Sequence, residues 1–279
     1  MKRARVSIAC AQGAILLFGF SFVQRLNPQS VQLPPPSAMR TIGLVGGTSW
    51  RNTADYYRYI NKAVNDAYGN NTNPPLIIWN LNNQRIAELE SKHQWGEVAA
   101  ILTDAGRRLQ ASGAQAVLLC SNTSHKVYFQ VAGKLGIPIL HIGDATGTAI
   151  RESGMSKVGL IGTKYTMEDR FLVDWLKQRY GIETLLPESA DARKKLNGIT
   201  QELEMGIFKA ASKKYVLDQI EELRRRGAQA IILGCTEFPA IIKTADVSIP
   251  VFDTELLHSQ MAVDFILGKP GLAQVHPTP

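Results

Sequence analysis

The chain is short of cysteine, and what is missing around its thiols narrows the chemistry. Among 279 residues only Cys10, Cys120 and Cys235 occur, none in a CxxC pair and none beside paired histidines. A disulfide framework, a structural zinc site and a thioredoxin-like redox pair therefore lack support, and no metal is expected. No Gly-x-Gly-x-x-Gly is present; "GLVGG" gives a dinucleotide only weak support, and no lysine sits in a recognisable pyridoxal phosphate motif. No cofactor is expected. Basic blocks interleaved with aromatics are missing too. The formal charge of +7 owes much to Lys2, Arg3, Arg5 and Arg25, which precede the first acidic residue, Asp55, and without them it is about +3. That is too little for a nucleic-acid partner. Arg224 to Arg226 reads as a solvated helix end whose charge suits the helix dipole.

Long apolar runs are also scarce. One, "GAILLFGFSFV", falls in residues 1–38, between a basic start and the Pro-rich "LPPPSA". This stretch resembles a signal peptide or signal anchor, although the run is short for a membrane span. Cys10 precedes the apolar run, which rules out a lipoprotein cleavage site. The alternative is a true start at Met39, where "MRTIGLVGG" enters a strand at once and nothing earlier resembles a fold. We favour that start. It implies a cytoplasmic protein without a membrane partner, whereas a real leader implies export or anchoring.

What is present is a soluble globular composition, 45% hydrophobic and 20% charged, with a length for one large domain or two ordinary ones. The chain also repeats itself. "RTIGLVGGTSW" (Arg40 to Trp50) is matched by "SKVGLIGTKYTM" (Ser156 to Met167). "GAQAVLLC" (Gly113 to Cys120) is matched by "GAQAIILGC" (Gly227 to Cys235), read with one inserted residue, and "GIPILHIGD" by "SIPVFDTE". Offsets of 116, 114 and about 112 in the same order make two similar halves.

Each half alternates short apolar runs with longer amphipathic ones. Ile42 to Val45, Leu76 to Trp79 and Val117 to Leu119 read as strands. Thr53 to Tyr68 reads as a helix whose Tyr57, Ile60 and Val64 share a face, with Gly69 as its stop; a second helix covers Gln94 to Ala111. Tyr56 and Tyr57 are both expected to pack. The pattern predicts an α/β protein of two pseudosymmetric domains, each a mainly parallel sheet flanked by helices. Ligands in such sheets collect beyond the carboxyl ends of the strands, which places the active site between the domains.

Cys120 and Cys235 each stand where an apolar strand gives way to a polar loop, and pseudosymmetry predicts that they confront one another. A single cysteine at a strand end is ordinarily core. A matched pair suits another task. One thiolate removes the Cα proton of an amino acid, the opposite thiol returns a proton to the other face, and the roles exchange in reverse. An ordinary thiol pKa of about 8.5 makes both forms accessible with modest tuning. Asn122, Thr123 and Thr236, with the loops Gly46 to Ser49 and Gly162 to Thr163, offer amides and hydroxyls to the carboxylate as it becomes enolate-like.

Together "IGLVGGTSW", "LLCSNTSHK", "LIGTKYTME" and "LGCTEFP" resemble the successive signatures of the aspartate/glutamate racemase family, over essentially all of Met39 to about Leu267. The resemblance implies cofactor-independent racemisation of aspartate or glutamate and a homodimer. It also implies a first domain of residues 39–141 completed by 254–279, with the C-terminal helix packing on it, and a second domain of residues 142–253. It makes Cys120 and Cys235 the two catalytic cysteines, with Ser121 an interposed residue. Members that replace one cysteine by threonine become selective or inactive toward one enantiomer, so two cysteines imply two-way racemisation. Asn122, Thr123 and Thr236 correspond to residues that hold the α-carboxylate; Thr48 and Lys164 match more loosely. Glu237, in "GCTE", favours this branch over the peptidoglycan-type glutamate racemases, which usually show "GCTH".

Among the neighbours, His125 either tunes the Cys120 thiolate or serves as a capping or core histidine. Lys164 is expected to guard the cleft and pair with a substrate carboxylate. Arg85 is a weaker candidate for the side-chain carboxylate, its alternative being a surface pair with Glu88 or Glu90. Maleate isomerase or hydantoin racemase chemistry, and a non-catalytic ligand-binding module, are the competing readings.

Overall fold

A computed structural model describes residues 33–269. Most of the leader, including Cys10 and the apolar run, and residues 270–279 lie outside the described residues. Two four-stranded parallel sheets organise the chain. The first comprises β1 (Ile42–Gly46), β2 (Leu76–Asn80), β3 (Ala116–Leu119) and β4 (Ile139–Leu140) in the order β2-β1-β3-β4; the second comprises β5 (Lys157–Gly162), β6 (Glu183–Leu185), β7 (Ile231–Gly234) and β8 (Val251–Asp253) in the equivalent order β6-β5-β7-β8. The expected α/β class with two similar halves is thus observed.

The helices are α1 (Trp50–Tyr68), α2 (Asn83–Ser91), α3 (Trp95–Ala111), α4 (Tyr128–Ala132), α5 (Ile142–Glu152), α6 (Lys164–Glu168), α7 (Phe171–Tyr180), α8 (Ala190–Glu204), α9 (Ala210–Arg225) and α10 (Thr254–Ile266). Because strand side chains alternate between faces, each sheet feeds two cores. Val117 and Leu119 of β3 meet Val98, Leu102 and Leu109 of α3, while Ala116 and Leu118 meet Tyr56, Ile60 and Val64 of α1 and Ala262, Val263 and Ile266 of α10. In the second half Ile231 and Leu233 pack under α8 and α9, and Ile232 under α7. Among the described residues no helix is long and apolar enough to cross a membrane.

Two details of α1 differ from the sequence reading. It begins a turn earlier than Thr53, because the Thr53 hydroxyl donates to the Ser49 carbonyl at 2.9 Å and accepts the Gly47 amide at 2.8 Å. Its buried stripe is Tyr56, Ile60 and Val64, an i, i+4, i+8 row, while Tyr57 is 52% exposed. The turn that leads into α1 depends on glycine. Gly47 has φ of +86°, and a Cβ there would meet the Leu81 backbone at 2.2 Å. Upstream of Met39, the Tyr68 hydroxyl donates to the Pro34 carbonyl at 2.6 Å, so the packed structure includes residues that had read as outside the fold.

Candidate active site

The carboxyl ends of β1, β3, β5 and β7 supply one cavity of about 130 Å³, walled on its other sides by α2 and α8. Its lining includes Thr48, Ser121, Asn122, Thr123, Thr163, Lys164, Cys235, Thr236 and Glu237. That space admits a small polar molecule, given that one water needs roughly 10–15 Å³. The Thr123 and Thr163 hydroxyls meet at 3.0 Å, joining the loop after β3 to the loop after β5 at the cavity wall. Among the described residues no group of acidic, histidine or cysteine side chains is arranged to hold a metal ion.

Cys120 is absent from this wall. Its thiol is 1% exposed and packs among Leu44, Tyr56, Leu118 and Leu140, on the α1 and α10 face of the first sheet. Strand alternation dictates this placement, since Cys120 continues the parity of Ala116 and Leu118. The next residue, Ser121, turns toward the cavity. Cys235 instead continues the parity of Ile231 and Leu233, the opposite face. Strand pairing makes the correspondence explicit. Gly43 pairs with Val117 and its repeat mate Gly159 with Ile231, so the two halves align without an insertion. Ser121 is then the counterpart of Cys235, and Cys120 the counterpart of Gly234. The expectation that the two cysteines confront one another is corrected accordingly: Cys120 lies in the core, and the residue that shares the cavity lining with Cys235 is Ser121, a hydroxyl.

Local bonds hold Ser121 in place. The Ser121 amide donates to the Leu119 carbonyl at 2.8 Å, and His125 Nδ1 bonds the Ser121 carbonyl, also at 2.8 Å. His125 Nε2 accepts the Ile142 amide at 3.2 Å, which leaves the proton on Nδ1 as donor to Ser121. Burial lowers the His125 pKa to about 4, so the ring is neutral. His125 therefore positions the turn; both its nitrogens are committed, and neither tunes a thiolate.

The electrostatics of the cavity are acidic. Burial raises the Cys235 pKa well above its ordinary value, and Glu204, Glu237 and Glu255 raise it further, against a backbone hydrogen bond at Glu237 that lowers it. Cys120 is raised as well, by burial and by Glu255. Desolvation brings Glu90 to about 7, with Glu204 adding to the shift and Lys126 opposing it. Glu204 is likewise brought to about 7 by burial and Glu237, with Asn83 opposing. The Glu237 carboxyl is raised by its burial, countered by Ser49, Arg51 and Asn52. Thr163 lies in a loop that the sequence reading brought to the cleft, whereas Asn52 and Glu204 were not singled out and Glu90 was read only as a surface partner for Arg85. Glu90 and Glu204 enter only because α2 and α8 are laid over the strand ends, an arrangement that no local motif announces.

A family model described as Asp/Glu/Hydantoin racemase matches residues 45–262. The chain belongs to the Asp/Glu/hydantoin racemase family. The fold of this racemase-family chain is similar to a solved structure of a candidate Asp/Glu racemase from Yersinia pestis, at 37% identity and TM-score 0.76, covering 82% of this chain and 100% of that one. An aspartate racemase homologue from Pyrococcus horikoshii is similar at 32% identity and TM-score 0.71, over 82% and 99% of the two chains. A glutamate racemase from Leptospira borgpetersenii is 30% identical over 144 residues, 51% of this chain and 53% of the relative. The chain spans about half the length of the curated relatives it matches.

The remaining family-derived assignments fall unevenly. Thr48, Asn122, Thr123, Lys164 and Thr236 all line the cavity. Asn122 faces it differently than expected. Its Nδ2 donates at 2.8 Å to the Thr254 hydroxyl, whose own proton goes to the Leu233 carbonyl at 2.9 Å. One Nδ2 proton is thereby committed, while the acceptor Oδ1 has no partner, so Asn122 presents an unpaired acceptor where the sequence reading expected only a donor. The Thr236 hydroxyl accepts from Asn52. Arg85 is not part of the wall: it is exposed and lies 4.0 Å from Glu88, the surface pair that was its alternative reading.

Proposed function

We propose that this family member is a cofactor-independent racemase of a free α-amino acid, with Cys235 serving one face of Cα and Ser121 the other. The observation that carries this reading is that the two residues occupy equivalent places at the ends of duplicated strands, on the wall of one small cavity.

In one direction the Cys235 thiolate takes the Cα proton and becomes a thiol. The electron pair left on Cα delocalises into the α-carboxylate, which is held by the hydroxyls of Thr48 and Thr123 and by the Lys164 ammonium. The Ser121 hydroxyl then gives its proton to the opposite face, and the resulting alkoxide recovers a proton from water. A serine hydroxyl is a far weaker acid than a thiol near 8.5. The Ser121 side is therefore the slower one, and the two enantiomers are handled unequally. This replaces the symmetric two-cysteine scheme.

The relatives' names bring aspartate and glutamate to this chain as the first substrates to try. A homodimer, implied by the family resemblance, belongs to the same proposal. Proton NMR in D₂O with each enantiomer of a panel of amino acids tests the reading. Loss of the α-proton signal accompanied by slower inversion supports it, whereas folded, reduced protein that exchanges no amino acid contradicts it.

A further inference from the structure

The charges on the cavity wall do not match a dicarboxylic substrate. Among the described residues the wall carries three carboxylates, Glu90 from α2, Glu204 from α8 and Glu237 after β7, against one ammonium, Lys164. Lys126, close enough to influence Glu90, is engaged with Asp169 at 2.6 Å. A second observation concerns hydrogen-bond polarity. Asn122 is 3% exposed and Glu237 4% exposed, yet Asn122 Oδ1 and Glu237 Oε1 have no donor. A buried acceptor left without a donor costs about 1–3 kcal/mol, so the cavity is built to receive N–H groups.

Building on the racemase reading, we propose that the cavity selects an α-amino acid with a cationic side chain, its α-carboxylate toward Lys164, its α-ammonium toward Asn122 Oδ1, and its side-chain cation between Glu90 and Glu204. The two carboxylates of aspartate or glutamate, one of them beyond the α-carboxylate that Lys164 pairs, would meet three acidic side chains already present. They would also hold the Cys235 thiol neutral more strongly, since Glu204 and Glu237 already raise it. A cation at the same place offsets that field and favours the thiolate.

Two measurements separate this inference from the reading it rests on. Calorimetric binding of L-lysine, L-arginine and L-glutamate to Cys235→Ser protein reports the ligand class without turnover. α-Proton exchange in D₂O with wild-type protein reports the reaction. The expected result is binding and exchange of lysine or arginine, with kcat/KM at least tenfold above that for glutamate or aspartate. Glu204→Gln and Glu90→Gln should each raise the ratio of KM for the basic substrate to KM for alanine about tenfold. Tighter binding and faster exchange of glutamate, unaffected by either substitution, overturns the inference and leaves the racemase standing. Binding of lysine with no exchange of any amino acid upholds the ligand class and overturns the racemase.

Discussion

Ser121 at the end of β3 is the pseudosymmetry mate of Cys235 at the end of β7, fixed by the pairing of Gly43 with Val117 and of Gly159 with Ile231. The thiol that sequence order offers first, Cys120, lies one residue earlier and points into the core between the sheet and helices α1 and α10. A one-residue difference in a strand reverses the face, which is why neighbouring residues of similar size have such different prospects.

Ser121→Cys would place a thiol at both positions. Its acidity near neutral pH makes the second proton transfer comparable to the first, so the ratio of α-proton exchange to inversion should fall toward that of a symmetric racemase. The inversion rate is expected to rise on the order of 10- to 100-fold, within the range attributed to acid–base groups. Polarimetry and NMR exchange on the same sample measure both quantities. An unchanged ratio would show that Ser121 does not deliver the proton.

The carboxyls of Glu90 and Glu204, at about 7 in the folded chain against 4.5 ordinarily, make stability depend on pH. Between those values the native state holds more protons than the unfolded one, so stability falls as pH rises from 4.5 to 7. Thermal denaturation across this range should show a declining Tm, and the double variant Glu90→Gln, Glu204→Gln should flatten the decline. A Tm that rises through the same window in wild type would contradict the assignment of raised carboxyls.

Deep in the first core the Tyr56 hydroxyl bonds His258 Nδ1 at 2.9 Å, and His258 Nε2 bonds the Leu140 carbonyl at 2.9 Å. Burial holds His258 at about 3, so the ring is neutral, donates from Nε2 and accepts from Tyr56. Tyr56→Phe strands a buried acceptor and is expected to cost about 1–3 kcal/mol in denaturant unfolding. KM for the substrate should be unaffected, because neither residue lines the cavity. A large change in KM with unaltered stability would place this chain of bonds in the site after all.

Much of this architecture is legible in the sequence, because apolar runs such as Ile42 to Val45 and their repeat mates expose the duplicated parallel sheets. Gly69 closes α1 where the sequence places its stop, with φ of +70°. The loops after β1, β3, β5 and β7 were legible as the ligand-binding ends for the same reason. Side-chain direction was harder to read. Tyr57 and Cys120 both satisfy a hydrophobic or functional pattern, and each lies one position from the residue that has the expected orientation. For Cys120 the signal was present: "GAQAVLLCS" and "GAQAIILGC" align without a gap, which sets Ser121 against Cys235. The acidic wall had no such signal, since Glu90 and Glu204 lie in ordinary amphipathic helices and approach only through tertiary packing.

The most direct test compares α-proton exchange in D₂O for Cys235→Ser, Ser121→Ala and Cys120→Ser, using whichever amino acid the wild-type protein exchanges. The account predicts that Cys235→Ser lowers exchange by about 10²–10⁴-fold. It predicts that Ser121→Ala retains exchange from the Cys235 face but loses inversion, and that Cys120→Ser keeps both activities in protein that is folded though less stable. Loss of inversion in folded Cys120→Ser protein, with Ser121→Ala fully active, would contradict it.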